Sequence, residues 1–365
     1  MVHLNSLVDV GRYAKYLQML ERACDKRSKE VGVGEVLWLI TGRCDLKCDY
    51  CYLGDTYRNF ELPEKDITWI ARLLGELSVP VVFISGGEPL LYKKLNTVIK
   101  SLRDYGVRLI VISTNGLLID GRKAKKLSRL DIDFIAISLH GRKKLHNNLV
   151  GYDVYDKIVE AIRVCHEEGL KVCIKTLITR QNTGETTWLS EFIIRNDLEA
   201  WYICDLVPRG YAKTENKTCN EVWEKIIRQL VDLVRAHDIL VDVGAHPSTQ
   251  PYICRLLGLD PSRVRSKGCP AGHGFIAVAP DGTITPCNFV LDYKIAKITR
   301  SMKPSALLET LEAGLHEMER EMNSAVNMCT ECPYSKLCGG CRAKAYYMKG
   351  SISAEDPTCL LRRRE

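Results

Sequence analysis

The stretch Val36-Leu-Trp-Leu-Ile-Thr41-Gly-Arg-Cys44-Asp-Leu-Lys-Cys48-Asp-Tyr-Cys51 decides how the chain is read. Its first part, residues 36–40, is an unbroken apolar run, and its second part is a polar loop with cysteines spaced C-x3-C-x2-C. An apolar run without alternation suits a strand covered on both faces, as in a parallel sheet. Further β-rich runs follow at 81–85, 109–113, 134–139, 172–178 and 201–207. Between them, 66–77, 95–105, 124–130, 155–168 and 187–195 repeat apolar residues at the helical spacing of three and four. Strand alternating with helix means a parallel sheet. Six such units predict an α/β fold, a partial (β/α)6 TIM-like barrel in preference to an open doubly wound sheet; periodicity leaves open whether the sheet closes. In such a barrel the chemistry sits at the carboxyl ends of the strands, where the cysteines fall.

Outward from the barrel, residues 11–27 read as an amphipathic leader helix. From about Asn220 the alternation is expected to stop, with a helix at 222–235 leading into a region rich in Pro, Gly and Cys. The expected organisation is a leader at 1–33, a barrel at 34–250 and a cysteine-rich domain at 251–365, with a boundary somewhere in 240–255. Within the last domain, Pro280-Asp281-Gly282 is a hairpin turn signal between short strands at 274–279 and 283–286. No internal repeat is found.

Over 365 residues, 46% hydrophobic and 27% charged composition excludes a disordered or collagen-like chain. No apolar run approaches the roughly 18 residues of a membrane span, and Met1-Val-His-Leu-Asn-Ser-Leu-Val-Asp-Val10 lacks the layout of a signal peptide. The cytoplasm is therefore the expected compartment. Lys plus Arg exceed Asp plus Glu by 52 to 45, a net +7 that is no nucleic-acid footprint but suits an acidic small substrate. Arg362, Arg363 and Arg364 read as a solvated tail. The anomaly is sixteen cysteines without a secretion signal. Reduced compartments disfavour structural disulfides, so metal or redox chemistry leads.

Three thiolates are an odd number for zinc, whose structural sites take four ligands, whereas a cubane iron–sulfur cluster held by three cysteines keeps one iron open. The plainer reading, cysteines at i, i+4 and i+7 burying one helical face, fits poorly with Gly42 and the adjoining strand. The spacing, with aromatic Tyr50 directly before the last cysteine, resembles the radical S-adenosylmethionine (SAM) superfamily. The resemblance implies that Cys44, Cys48 and Cys51 ligate a [4Fe-4S] cluster whose fourth iron chelates the amino and carboxylate groups of SAM. One electron then splits a carbon–sulfur bond to give a 5′-deoxyadenosyl radical, which abstracts hydrogen from unactivated carbon.

Ser85-Gly86-Gly87-Glu88-Pro89 at the second strand's end resembles the superfamily's second motif. By that resemblance, backbone carbonyls and the Glu88 carboxylate accept from the SAM ammonium, and the paired glycines allow close approach. Ser113 and Asn115 at the third strand's end, and Ser138 on the fourth, take positions that resemble SAM contacts, as does Tyr50. Lys175 stands where relatives often carry an Arg for the SAM carboxylate, a point charge in place of a bidentate fork; a solvated or structural lysine is the alternative. His140 replaces an Asp common in relatives and reads as structural.

The rear of the chain holds Cys329-x2-Cys332-x5-Cys338-Gly-Gly-Cys341 and Cys359, with Cys269 and Cys287 upstream. Alone, two C-x2-C pairs could form a four-cysteine zinc site. Together with the front motif they resemble a SPASM-type extension, a domain that binds auxiliary iron–sulfur clusters. The resemblance implies that Cys329, Cys332, Cys338 and Cys359 complete one [4Fe-4S] cluster, while Cys269, Cys287 and Cys341 give three ligands to another. The sequence lacks the further cysteine that many members carry shortly after Cys269. The second auxiliary cluster is then absent, takes Cys254 or His273, or keeps an open iron. Cys24, Cys165, Cys173, Cys204 and Cys219 are given no ligand role.

The segments Cys338-Gly-Gly-Cys341-Arg-Ala-Lys-Ala-Tyr-Tyr and Ala354-Glu-Asp-Pro-Thr-Cys359, with Asp205-Leu-Val-Pro208-Arg-Gly, resemble the tetrapyrrole-modifying SPASM group. That implies hydrogen abstraction from the β-carbon of a propionate, loss of carbon dioxide, and an auxiliary cluster taking the surplus electron to leave a vinyl group. The implied partners are an acidic tetrapyrrole and a ferredoxin- or flavodoxin-type electron donor, with Arg209 contacting carboxylates at the rim or else serving as a surface arginine. The alternatives are a SPASM maturase acting on a peptide side chain and a non-enzymatic zinc or electron-transfer protein. The last has no need of an open iron or of SAM-contact motifs.

Overall fold

The computed structural model describes residues 33–261, 268–272, 274–300, 302–324, 328–329 and 331–362, and the backbone of Val2 and His3. The expected leader helix, Cys24, His273, Arg363 and Arg364 lie outside the described residues.

After β1 (Val2–His3), all six expected strands are present: β2 (Glu35–Leu39), β3 (Val81–Ser85), β4 (Leu109–Thr114), β5 (Phe134–Ser138), β6 (Val172–Ile178) and β7 (Ala200–Asp205). Each pairs in parallel with the next, in chain order. The crossovers carry α1 (Glu64–Glu76), α2 (Leu95–Asp104), α3 (Gly121–Leu127), α4 (Lys143–Val150), α5 (Tyr155–Glu167) and α6 (Thr186–Arg195). The unbroken apolar runs reflect burial on two faces. Val82, Ile84, Ile110, Ile112, Ile135 and Ile137 pack outward against the helices. Their neighbours Val81, Leu109, Val111 and Ala136 form a separate inner layer with Phe83, Phe134 and Cys173.

The alternation does not stop at Asn220. Helix α7 (Asn220–Ala236) leads to β8 (Leu240–Gly244), which joins β7 in parallel as a seventh successive strand. Two inward residues hid it from the sequence pattern. Asp242 is polar, and Gly244 is required because a Cβ there would lie 1.9 Å from the Tyr202 hydroxyl. Helix α8 (Thr249–Leu257) then buries Tyr252, Ile253 and Cys254 in the main core, so it straddles the boundary expected at residue 250.

The hairpin forms as expected, from β9 (Phe275–Val278) and β10 (Thr283–Thr285), with the Ala279 amide donating to the Thr283 carbonyl at 2.8 Å. Its first strand does more than pair locally. β9 runs parallel to β2, with Glu35 opposite Phe275 and Trp38 opposite Val278. With β11 (Ala296–Lys297), the described strands form one sheet in the order β1-β8-β7-β6-β5-β4-β3-β2-β9-β10-β11. Its outermost strands, β1 and β11, are not paired to each other, so the barrel is partial. Helices α9 (Pro304–Ser324) and α10 (Arg342–Lys349) complete the cysteine-rich end.

Candidate active site

The cysteine loop leaves β2 and folds over the carboxyl ends of β3 and β4. A turn closes it, the Cys51 amide donating to the Cys48 carbonyl at 3.1 Å, and the Cys51 carbonyl accepts from Tyr211 at 2.9 Å. Gly86 and Gly87 allow the loop to lie directly on the end of β3. A Cβ on Gly86 would sit 2.4 Å from the Thr41 carbonyl oxygen, and one on Gly87 would sit 2.2 Å from that of Arg43. The Gly87 and Glu88 amides donate to those same carbonyls at 2.7 and 2.8 Å. The paired glycines therefore press against the cysteine loop, while Ser85, Gly86 and Gly87 also line the cavity beside it.

Glu88 does not play the expected part. Its side chain is fully buried, and its carboxylate accepts from the Leu90 amide at 3.0 Å, the Thr114 hydroxyl at 2.7 Å and the Asn115 amide at 2.8 Å. Neither Glu88 nor Pro89, which opens a short 3-10 turn at Pro89–Leu91, belongs to the cavity wall. The carboxylate thus joins the ends of β3 and β4 and is not placed to accept from a SAM ammonium. Burial, against those hydrogen bonds, pushes its pKa from 4.5 up to about 7. The folded state therefore holds the proton more tightly than the unfolded chain. Its share of stability is fully present below pH 4.5 and is lost as pH rises through 7, at no more than about 1.4 kcal/mol per pH unit. Glu88→Gln is expected to flatten that slope in urea melts at pH 5 and 7.5. It should also cost about 1–2 kcal/mol, because an amide cannot accept from all three donors.

The remaining expected contacts converge on one cavity of about 370 Å³, lined by Tyr50, Ser113, Asn115, Ser138 and Lys175 along with Cys44, Cys48 and Cys51. Asn115 ties the cysteine loop to β4, its Nδ2 donating to Asp45 at 2.7 Å while its Oδ1 accepts from the Leu117 amide at 2.8 Å. Lys175 is half-buried and donates to the Ser113 hydroxyl. Burial lowers its pKa, with the Glu88 charge acting in the opposite direction. The Ser138 hydroxyl lies 3.5 Å from the Thr114 carbonyl. His140, read as structural, also faces the cavity, its Nε2 2.6 Å from the Tyr50 hydroxyl.

The rear cysteines divide into two sets. Cys269, Cys287 and Cys341 line the same cavity as the front three, and Cys287 interacts electrostatically with Cys269. Cys329, Cys332, Cys338 and Cys359 lie off its wall. Cys338 feels both Cys359 and Cys329. The Cys269 amide donates to the Cys338 carbonyl at 2.9 Å, so backbone joins the two sets. Cys254 sits in the hydrophobic core away from the cavity. Cys173 and Cys204, given no role from sequence, do face it, and Cys204 lies within the electrostatic reach of Cys287.

Two further features behave differently from expectation. Arg209 is 7% exposed, and its guanidinium donates to Asp292 at 3.0 and 3.1 Å, to the Tyr347 hydroxyl at 2.9 Å and to the Tyr52 carbonyl at 2.6 Å. It clamps the barrel to the rear segment, its guanidinium held by Asp292, Tyr347 and Tyr52 and not presented to a carboxylate at the rim. Lys344, one residue among the small ones of α10, is fully buried and donates to Asp205 at the end of β7 and to Thr358 at 3.2 Å. Burial works against its charge, but Asp205, Asp356 and Cys341 hold its pKa above the usual lysine value. Sequence gave no sign of this, since a buried lysine in a helix is spelled like a solvated one.

Cys44 and Cys48 have their pKa values pushed up to about 12, chiefly by burial. Ligation of iron displaces such protons. Among the described residues no three His, Cys, Asp or Glu side chains converge on a single ion; a cubane asks for less, since each cysteine binds a separate iron. Three thiols facing one cavity leave one corner free, so the residues fit the group.

Residues 38–188 match the Radical SAM superfamily. The barrel carries a radical SAM domain. It is 28% identical to the Fe-coproporphyrin III synthase of Methanosarcina barkeri, over 90% of this chain and 88% of that protein. It is 26% identical to the pre-heme d1 synthase of Dinoroseobacter shibae over 89% and 86%, and 24% identical to the AdoMet-dependent heme synthase of M. barkeri over 90% and 96%. Among solved structures, Streptococcus suis SuiB bound to its precursor peptide SuiA has a TM-score of 0.75 at 23% identity, covering 91% of this chain and 78% of that one. Native anSMEcpe with bound AdoMet has a TM-score of 0.65 at 19% identity, covering 89% and 92%. A radical SAM domain implies a [4Fe-4S] cluster and SAM as its cofactors. No described helix is long and apolar enough to cross a membrane.

Proposed function

We propose that this radical SAM enzyme modifies the side chains of an iron tetrapyrrole, converting propionates to vinyls by oxidative decarboxylation. The observation that carries the reading is that three relatives, matched over 86–96% of their own lengths, are all named as synthases of haem or its near precursors. SAM and the cluster, when bound, supply a 5′-deoxyadenosyl radical that takes a hydrogen atom from substrate carbon.

The cavity supports this reading through its chemistry. Its wall is mainly apolar and aromatic, with Tyr52, Phe83, Phe134, Tyr202 and Phe289 suited to a flat macrocycle. Lys175 is the one lysine among the described lining residues, and no arginine accompanies it. We assign Lys175, steered by Ser113, to the SAM carboxylate. A propionate drawn inside then meets no second lysine or arginine. Burying an unpaired carboxylate is costly, and its departure as carbon dioxide removes that charge. Cys269, Cys287 and Cys341, which line the same cavity, would hold an auxiliary cluster there. A small ferredoxin or flavodoxin would supply the electrons.

Anaerobic incubation of the reconstituted enzyme with SAM, a strong reductant and iron-coproporphyrin III tests the proposal. The expected result is 5′-deoxyadenosine together with loss of two formic-acid equivalents from the porphyrin by mass spectrometry. An unchanged porphyrin, with turnover of didecarboxysiroheme or of a peptide, would overturn it.

A further inference from the structure

The segment that joins the two sets of rear cysteines buries a cation for which the chain supplies no counter-charge. Arg342 opens α10 and is 6% exposed. Its Nε donates to the Gly340 carbonyl at 3.3 Å, and its Nη1 donates to the carbonyls of Ile352 at 2.6 Å and Ala354 at 2.9 Å. Its Nη2 is buried and has no hydrogen-bond partner among the described residues. Three carbonyls orient the guanidinium without neutralising it, and the first turn of a helix is a poor place for a buried positive charge. Asp356 does not answer it with an ion pair among the described residues. Its carboxylate is held by other donors, Oδ2 accepting from the Cys341 amide at 2.7 Å and Oδ1 from the Thr358 amide and hydroxyl at 2.8 and 2.7 Å.

Gly340 shows what Nη2 faces. A Cβ at that position would lie 2.6 Å from Nη2 of Arg342 and 3.2 Å from Sγ of Cys329, so the two atoms are no farther apart than those distances together. Glycine, here at a φ of +67°, keeps open the approach between guanidinium and thiol. The Gly340 amide in turn donates to Sγ of Cys338 at 3.4 Å. Two cysteines of the set that lies off the cavity wall therefore meet at one glycine, and the unpaired N–H of Arg342 is beside it.

We propose that Arg342 is the electrostatic partner of the rear auxiliary cluster: its Nη2 donates to a sulfur of the cluster held by Cys329, Cys332, Cys338 and Cys359, and its charge raises that cluster's reduction potential. A cluster ligated by four thiolates is an anion, and reduction makes it more negative, so an adjacent buried guanidinium stabilises the reduced state more than the oxidised one. The orphaned N–H then has its acceptor and the buried cation its counter-charge. The inference rests on the reading of those four cysteines as cluster ligands and is independent of the substrate.

The test is an EPR-monitored redox titration of the reconstituted full chain, the rear cluster being the signal that Cys332→Ala abolishes. Arg342→Met removes both charge and donors. It is expected to lower the ratio of reduced to oxidised rear cluster at fixed potential by about three- to tenfold, tenfold being about 59 mV for one electron. Arg342→Lys, which keeps the charge, should recover part of the shift. A site merely loosened by the substitution would admit water, which favours the more charged state and moves the potential the other way. In the unmutated protein labelled with heavy nitrogen only in its arginine guanidinium groups, pulsed EPR of the reduced rear cluster should show a nitrogen coupling that Arg342→Lys abolishes. An unmoved or raised potential in Arg342→Met with full iron content overturns the proposal, and so does the absence of that coupling. If both variants fail to assemble the cluster, the coupling in the unmutated protein alone decides. If Cys332→Ala loses no iron relative to the unmutated chain, the rear cluster itself fails and this proposal with it.

Discussion

Alanine at any one of Cys44, Cys48 or Cys51 is expected to remove all measurable 5′-deoxyadenosine formation and the iron of one cluster, while the chain stays folded. All three cysteines face one cavity and none is fully buried, so the substitution leaves little unfilled space. What it takes away is ligation, and a cubane stripped of one of three protein thiolates has no substitute thiolate on that loop. Cys332→Ala makes the contrast. Cys332 lies off the cavity wall, so its loss should lower total iron yet leave reductive cleavage of SAM in the absence of substrate measurable. Iron and sulfide analysis beside a chromatographic assay for 5′-deoxyadenosine distinguishes the two. Equal loss in both variants would argue against separate roles for the front and rear cysteines.

The second large effect concerns a residue away from any expected site. Lys344→Met should destabilise the protein by about 3–5 kcal/mol, because it leaves Asp205 charged and buried without its cation. His246, whose Nε2 is 3.8 Å from Asp205, is a poor replacement, because burial, the largest cause of its lowered pKa, stays in place when Lys344 is removed. Removing both charges is different: Asp205→Asn with Lys344→Met should recover most of the loss, since an uncharged pair of similar volume has no ion to desolvate. Anaerobic urea melts of the two single variants and the double variant would check this. Additive losses would show that the ion pair is not what couples these positions.

The barrel was legible because its strands are covered on both faces. Residues such as Val81 and Val82 point to opposite sides and are both apolar, which leaves an unbroken run that reads as a parallel strand. β8 was missed where that rule fails, since Asp242 and Gly244 replace inward apolar residues. The front cysteines were legible because ligand spacing is local in sequence. Glu88 and Arg209 were misread for one shared reason: a charged side chain in a motif or at a strand end reads as facing a ligand, and only coordinates reveal that protein groups already occupy it. Lys344 could not be found at all, since its partner is 139 residues away. Cys204 was set aside as solitary, and it becomes a neighbour of the rear cysteines only through the stacking of β7 against the rest of the sheet.

The parallel pairing of β9 with β2 has a consequence for how the enzyme works as a machine. Two units joined by a linker can swing apart to admit a bulky molecule, but here main-chain bonds stitch them along four successive residue pairs from Glu35–Phe275 to Trp38–Val278. Opening that seam would tear ladder bonds and bare an adhesive strand border. Traffic in and out must therefore pass over the lip of the bowl, and the gap between the front and rear thiols stays set by the weave of a single fabric while cargo comes and goes.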